Sequence, residues 1–414
     1  MTTAGMTAAA AMDTAAATEK EKENYLIPRF GALCFFLAAL EAVIPKPLPF
    51  LRLGLSNIPL IAAAGFFPPK AYFLLALVKI LAQGITGGTF FSWVFLFSLA
   101  GTFASASLMF LMKQMLKSRI SAVGISTAGA FASTCIQILI ARLWIFGEAA
   151  SAIAPLLLAA GTAAGFAMGV FAELFIRNSQ WLKETIAKTE SGAFPRETPL
   201  SGGGTEPQQN SPAATRRAVL RTAAGLCAAA AAGAADSVYV RAGIFCVFFA
   251  ASFRNKNSRQ KLNILPVLFS LAAITAFNLY PPRGRILFQP AGFPIASESL
   301  AAGAARAFLF ESLLFISRWT FTPERFRFSL PEHGRFRIIS LTGSTFAMFG
   351  RWNAVLNQRK KTKTGTDGQS ASGKQRINAR ALVLRIDGLL RKLDGGPDQE
   401  RTPPEQRTGN MSAP

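Results

Sequence analysis

The sequence predicts an all-α fold, a polytopic bundle of membrane helices, on three observations. Of the 414 residues 51% are apolar, yet the formal net charge is +22. The apolar residues gather in runs of the length a helix needs to cross a bilayer, about 20 residues for a core of about 30 Å. The Lys and Arg residues crowd the segments between those runs, as they do in cytoplasmic loops and tails. A basic balance also suits nucleic acid, but that reading leaves the apolar runs unexplained, so no nucleic-acid partner is expected.

Taken in order, residues 1–26 are Ala/Thr-rich and then charged, without the basic-then-apolar order of a secretory signal, and read as a disordered cytoplasmic arm. Six candidate spans follow within 27–177: Ile27–Ile44, a short Leu53–Phe67, Ala71–Thr86, Phe90–Met112, Ser126–Phe146 and Ile153–Ile176. Residues 178–217, with the run Ser201-Gly-Gly-Gly-Thr205, read as a cytoplasmic linker. A second membrane domain of about four helices occupies 218–321, as Ala218–Ala235, Val240–Phe253, Ile264–Tyr280 and Leu300–Phe321. Residues 322–414 turn basic and read as a largely disordered tail that adds little to the core. Within that tail, residues 378–393 space Leu382, Ile386, Leu389 and Leu393 as one face of an amphipathic helix, suited to a membrane surface or a partner protein.

Orientation follows from the basic residues. Lys113, Lys117 and Arg119 lie between the fourth and fifth spans, and the linker adds Arg177, Lys183, Lys188, Arg196, Arg216 and Arg217. The next loop on the other side of each span is almost uncharged, so the pattern puts both termini in the cytoplasm of a cell whose plasma (inner) membrane holds the bundle. The loop Lys46–Arg52 is the exception, being basic but outside.

That loop is the first candidate for chemistry. Its prolines (Pro45, Pro47, Pro49) stiffen it toward an extended form. Ser56 or Asn57 can cap a helix whose first turn holds Pro59. Backbone N–H groups at that helix start, beside Lys46 and Arg52, would make an anion site of the kind broken helices form in transporters. The alternative is a plain capped loop whose cations meet lipid phosphates. Four ionisable residues fall inside the first six spans: Glu41, Lys79, Arg142 and Glu173. Charges in such positions cost on the order of 3 kcal/mol on insertion scales, so they face a cavity or a partner, or snorkel to the interface. Glu41 and Glu173 are near span ends and within reach of the interface; Lys79 and Arg142 are nearer the middle and are candidates for substrate contact. Gly161, Gly165 and Gly169 form a doubled GxxxG, which flattens one helix face for close packing.

Other chemistries find no support. The four cysteines stand singly in apolar runs, and the one histidine, His333, sits in a polar segment, so no metal site or catalytic triad is expected. Gly368 to Lys374 fits GxxxxGK, but Gln375 stands where Ser or Thr should reach magnesium, so it is not read as a nucleotide site. No two aspartates are adjacent, which excludes the aspartate-rich magnesium site of prenyl-transfer enzymes. No catalytic residue and no cofactor is expected.

The run from Glu41 through Ala42-Val-Ile-Pro-Lys-Pro-Leu-Pro-Phe-Leu-Arg-Leu-Gly-Leu-Ser-Asn57 to Ile58 resembles the bacterial heptaprenyl diphosphate synthase component I family, also called the Gx transporter family. Gly124–Ala130 and the glycines of the sixth span are similar to it too, and the resemblance covers about residues 27–177. That family looks like the six-helix, substrate-binding S components of energy-coupling-factor (ECF) transporters. Residues 284–288, 293–300 and the helix holding Arg306 and Glu311 weakly resemble the T component of the same transporters, although the Ala-Arg-Gly coupling motifs of T components are missing. The resemblance implies a transport protein, an S-like domain fused to a T-like one, that takes up a small substrate with separate ATPase subunits as partners. Taken by its name, the family implies instead a non-catalytic membrane subunit beside a soluble prenyl diphosphate synthase in quinone synthesis. A scaffold for some other complex is the third possibility.

Overall fold

The computed structural model describes residues 3–43, 54–192, 212–253, 264–289, 294–320, 337–363 and 379–394. They are mostly helical. In chain order the helices are α1 (Thr3–Val43), α2 (Ile58–Ala63), α3 (Pro69–Gly87), α4 (Trp93–Leu116), α5 (Ala122–Ala141), α6 (Ala150–Asn178), α7 (Gln180–Glu190), α8 (Pro212–Ala234), α9 (Val238–Phe253), α10 (Ile264–Phe277), α11 (Ser297–Thr320), α12 (Arg337–Lys363) and α13 (Ala379–Asp394). The strands described are β1 (Ile286–Phe288) and β2 (Ile295–Ala296), an antiparallel pair that brings Ile286 opposite Ala296.

Among the described residues three helical stretches are long and apolar enough to cross a membrane: Trp93–Arg119, Ala122–Asn178 and Ser297–Thr320. Three shorter apolar helices accompany them, Val219–Ala234, Val238–Ser252 and Ile264–Phe277. The stretch Ala122–Asn178 is a hairpin, because a π turn at Arg142–Phe146 and a 3-10 turn at Gly147–Ala149 separate α5 from α6. Gly147 turns the chain with φ +57°, a value that favours glycine. The two helices then run antiparallel at close range. A Cβ on Gly165 would collide with that of Ala130, and one on Gly169 would lie 2.6 Å from Val123 Cα. The Ser126 hydroxyl donates across the seam to the Gly165 carbonyl at 2.8 Å.

The segment Leu53–Phe67 is apolar for a different reason than lipid contact. Its described part is a 3-10 turn, Leu55–Asn57, followed by α2, whose six residues are all buried inside the protein. Six residues of helix rise only about 9 Å.

Both ends of the chain differ from the sequence expectation. Residues 3–26, expected as a disordered arm, continue α1 to its start at Thr3. Alanine is the best helix former, and a helix already anchored by its C-terminal half propagates into such a sequence at little cost. The linker region holds α7, whose Trp181 and Leu182 are buried. The tail, expected to add little, supplies two packed helices. Leu341, Met348 and Trp352 of α12 and Val383, Ile386, Leu390 and Leu393 of α13 belong to the same core as Ile27, Phe30, Leu33 and Leu37 of α1. A Cβ on Gly31 of α1 would sit 2.7 Å from Thr345 of α12, and the Phe35 and Phe346 rings are 5.3 Å apart. Ion pairs fasten the arrangement: Arg337 to Glu23, and Arg29 to Asp394 at 3.4 Å. The apolar face of α13 thus covers this chain's own helices.

The second group, α8 to α11, packs around α11. It joins the first group through the Asn278 amide, which donates to the Ile145 carbonyl at 2.8 Å, and through Phe91 N–H, which donates to the Ser317 hydroxyl at 3.2 Å. Ile145, Ile274 and Ala307 form an apolar cluster across that junction with Trp93, Phe97 and Phe310.

Candidate functional site

The polar residues of the first group converge where α1 ends, α2 begins and α3 passes. Glu41, in the last turn of α1, is only 7% exposed. Its Oε2 accepts from the backbone N–H groups of Gly54 at 3.2 Å and Leu55 at 3.0 Å. A carboxylate at a helix start is favoured by the orphan N–H groups there and by the helix dipole. Gly54 has φ +84°, which lets two consecutive N–H groups point at one oxygen. The helix start expected to offer its N–H groups to a ligand therefore offers these two to Glu41.

Lys79, midway along α3, is 3% exposed. Its ammonium donates to Oδ1 of Asn57. Asn57 precedes α2 but makes no cap bond with its side chain, and Ser56 beside it is buried. The structure thus brings Glu41, Ser56, Asn57 and Lys79 together across 38 residues of sequence. Lys46 and Arg52 lie outside the described residues, as do His333 and the Gly368–Lys374 run. Arg142 is engaged elsewhere: it is exposed in the π turn and donates to both carboxylate oxygens of Glu148, at 3.1 and 2.8 Å. Gly161, Gly165 and Gly169 line the α5–α6 seam, where a Cβ on Gly161 would collide with Thr134.

Several polar contacts in the apolar bundle were not foreseen from sequence. Glu173 repeats the device of Glu41. It accepts from the Ala122 N–H at the start of α5 at 2.9 Å and pairs with Arg177 at 2.8 Å. In the second group Arg241 donates to the carbonyls of Ala232 and Ala305, each at 3.3 Å. Arg306 donates to Oδ1 of Asn278. The one available signal was rarity: each is a charged or amide residue inside an apolar run. Among the described residues no three His, Cys, Asp or Glu side chains are grouped to hold a metal.

A cavity of about 860 Å³ lies at the far end of α2, lined by Glu19, Lys22, Phe66, Gln114 and Glu190 among others. It shares no residue with the Glu41–Lys79 cluster, so the polar convergence and the open space are different places.

Residues 30–175 match the family described as heptaprenyl diphosphate synthase component I. That part of the chain is similar to the component I family. The component I region contains the whole Glu41–Lys79 cluster and the three seam glycines. Residues 217–323 match a domain of unknown function (DUF8519), which coincides with α8 to α11. Helices α12 and α13 lie outside both matches although they complete the core around the component I helix α1. No curated protein and no solved structure matches the chain.

Proposed function

We propose that the chain is a membrane transport protein whose component I region binds a small anionic or strongly polar substrate. The observation that carries this reading is the buried Lys79–Asn57 contact beside Glu41, inside an apolar bundle. A buried cation in a membrane protein is retained where it meets a partner, a pathway or a ligand. Lys46 and Arg52 of the adjoining loop add two cations to the same end of α1 and α2 in sequence. In this reading the region is the six-span, S-component-like unit and α8 to α11 the T-like one. Both termini are cytoplasmic in the plasma membrane, and ATP hydrolysis comes from separate ECF-type ATPase subunits. Arg142, held by Glu148, plays a lesser part.

The family description favours a second reading, a non-catalytic membrane subunit beside a soluble prenyl diphosphate synthase. Purification from membranes with the bound proteins and small molecules identified separates the two. Co-purifying ATPases and a polar small molecule support transport; a co-purifying prenyl synthase supports the second. Within the transport reading, Arg52→Ala should lose the co-purified compound at normal protein level. Arg52→Lys should keep part of it, because a point charge replaces a planar two-pronged donor incompletely. Full retention in Arg52→Ala returns the loop to a plain capped connection.

A further inference from the structure

The second group of helices contains one ionisable side chain that its surroundings leave incomplete. Glu311 lies midway along α11 and is 2% exposed. Its Oε1 contacts the Ser270 hydroxyl of α10, while its Oε2 has no hydrogen-bond partner. The enclosure is apolar. Phe308 and Phe315 stand one turn to either side of Glu311, and they pack with Phe245, Phe249, Val267 and Leu271. Val267 and Leu271 in turn flank Ser270 on α10.

Among the described residues no cation forms an ion pair with the carboxylate, although Arg318 acts on it electrostatically from a distance. On α11, Arg318 lies two turns away with its guanidinium over the Phe315 ring. Arg241 of α9 is held by the carbonyls of Ala232 and Ala305. From α8, Arg221 faces the Trp319 ring, and α10 carries no titratable residue. Among the described residues, α4 and the π turn, which also touch α11, carry Arg142, paired with Glu148, and Lys113, which lies beside Gly65 in the first group. Cys246 of α9 is exposed.

The hydrogen count points the same way. The Ser270 oxygen is 3.0 Å from the carbonyls of both Pro266 and Val267 and also touches Glu311. A hydroxyl has one hydrogen. If it goes to a carbonyl of its own helix, as serine in a helix commonly arranges, the contact with Glu311 needs a hydrogen from the carboxyl. An ionised Glu311 would instead keep a full charge in an apolar enclosure with one donor, which is costly.

We propose that Glu311 and Ser270 form a membrane-embedded proton-binding site in the α8–α11 domain. The carboxyl holds one proton and donates it to the Ser270 oxygen, whose own hydrogen serves the α10 backbone. The proton leaves when water or a cation reaches Oε2, so occupancy of the site is tied to the separation of α10 and α11. The site is independent of the transport reading and stands if that reading fails.

Infrared difference spectroscopy on the full chain in lipid nanodiscs tests it. Wild type minus Glu311→Gln at neutral pH should show the carbonyl band of a protonated carboxylic acid, shifted down in heavy water. Gln has the shape and neutrality of the protonated acid, so this variant should melt within a few degrees of wild type. Ser270→Ala provides the second reading: with its acceptor gone, the same carbonyl band should move to higher frequency. A carboxylate band pair in place of the carbonyl band at neutral pH overturns the proposal, as does the absence of any carboxylic feature in both differences.

Discussion

Replacing Asp387 by alanine should release α13 from the rest of the protein. Asp387 is 5% exposed and sits against the start of α7. One of its oxygens accepts from the Ser179 hydroxyl at 2.5 Å and from the Trp181 N–H at 3.0 Å. Ser179 is itself the cap of α7, accepting from Leu182 N–H at 3.1 Å. Hydrogen bonds to a charged group contribute about 1.5–3 kcal/mol each, and a carboxylate at a helix start adds about 0.3–1 kcal/mol. The contributions share one oxygen and are not additive, so about 3 kcal/mol is a reasonable total for the loss. At about 1.4 kcal/mol per factor of ten, that raises the detached fraction of α13 roughly a hundredfold. Hydrogen exchange resolves it locally: amides of residues 379–394 should open about two decades more often in Asp387→Ala, while α5 and α6 keep their protection. Asp387→Asn keeps an acceptor oxygen and should show a smaller rise. Unchanged protection of α13 in Asp387→Ala would refute the assignment. An equal rise everywhere would show that α13 is not a separately docked element.

Two further substitutions test the packing. Trp352→Ala empties a fully buried site between the Phe36 and Trp181 rings, each 6.5 Å away, and should cost about 3–5 kcal/mol. An unchanged melting temperature in detergent would show that α12 is not part of the core. Gly165→Leu forces a side chain into Ala130 and the Ser126 carbonyl and should cost about 1–3 kcal/mol or more, with Gly165→Ala milder. Equal melting of the leucine variant and wild type would contradict the close α5–α6 approach.

What could be read from the sequence follows hydropathy closely. Six of the expected apolar runs lie where α3, α4, α6, α9, α10 and α11 stand, within a few residues at most ends, because a long apolar run has few alternatives to a helix. Helix α12 escaped for a physical reason. Its buried face includes Thr342 and Thr345, which lower its hydropathy, yet each donates its hydroxyl to the carbonyl four residues back at 2.7 Å. A threonine so bonded presents mainly its methyl group and packs like a small hydrophobe. Leu341, Thr345, Met348 and Trp352 nevertheless recur at spacings of four, three and four, a helical face visible to a reading that counted threonine as apolar. Of the site, Lys79 and Asn57 were legible singly, as a rare charge and a cap residue. Their contact was not, since 22 residues separate them.

The polar groups inside the bundle fall into two kinds, and the division bears on where function resides. Glu41 and Glu173, near opposite ends of the component I region, each accept backbone N–H groups at the start of another helix. Arg241 and Asn278 donate to the carbonyls of Ala232, in the last turn of α8, and Ile145, in the π turn. In each of these the side chain completes a backbone group that would otherwise be buried without a partner, so its presence follows from the fold alone. Such residues should resist substitution by anything that cannot bond, whatever the protein transports or assembles with. Glu311 does not fit that account. Its contact is to a serine that already has two carbonyls beside it, and its second oxygen completes nothing. A leucine there would fill the same space without the cost of burying a carboxyl. An acid retained where the fold gains nothing from it is retained for what it binds, and the smallest ligand that removes the cost is a proton.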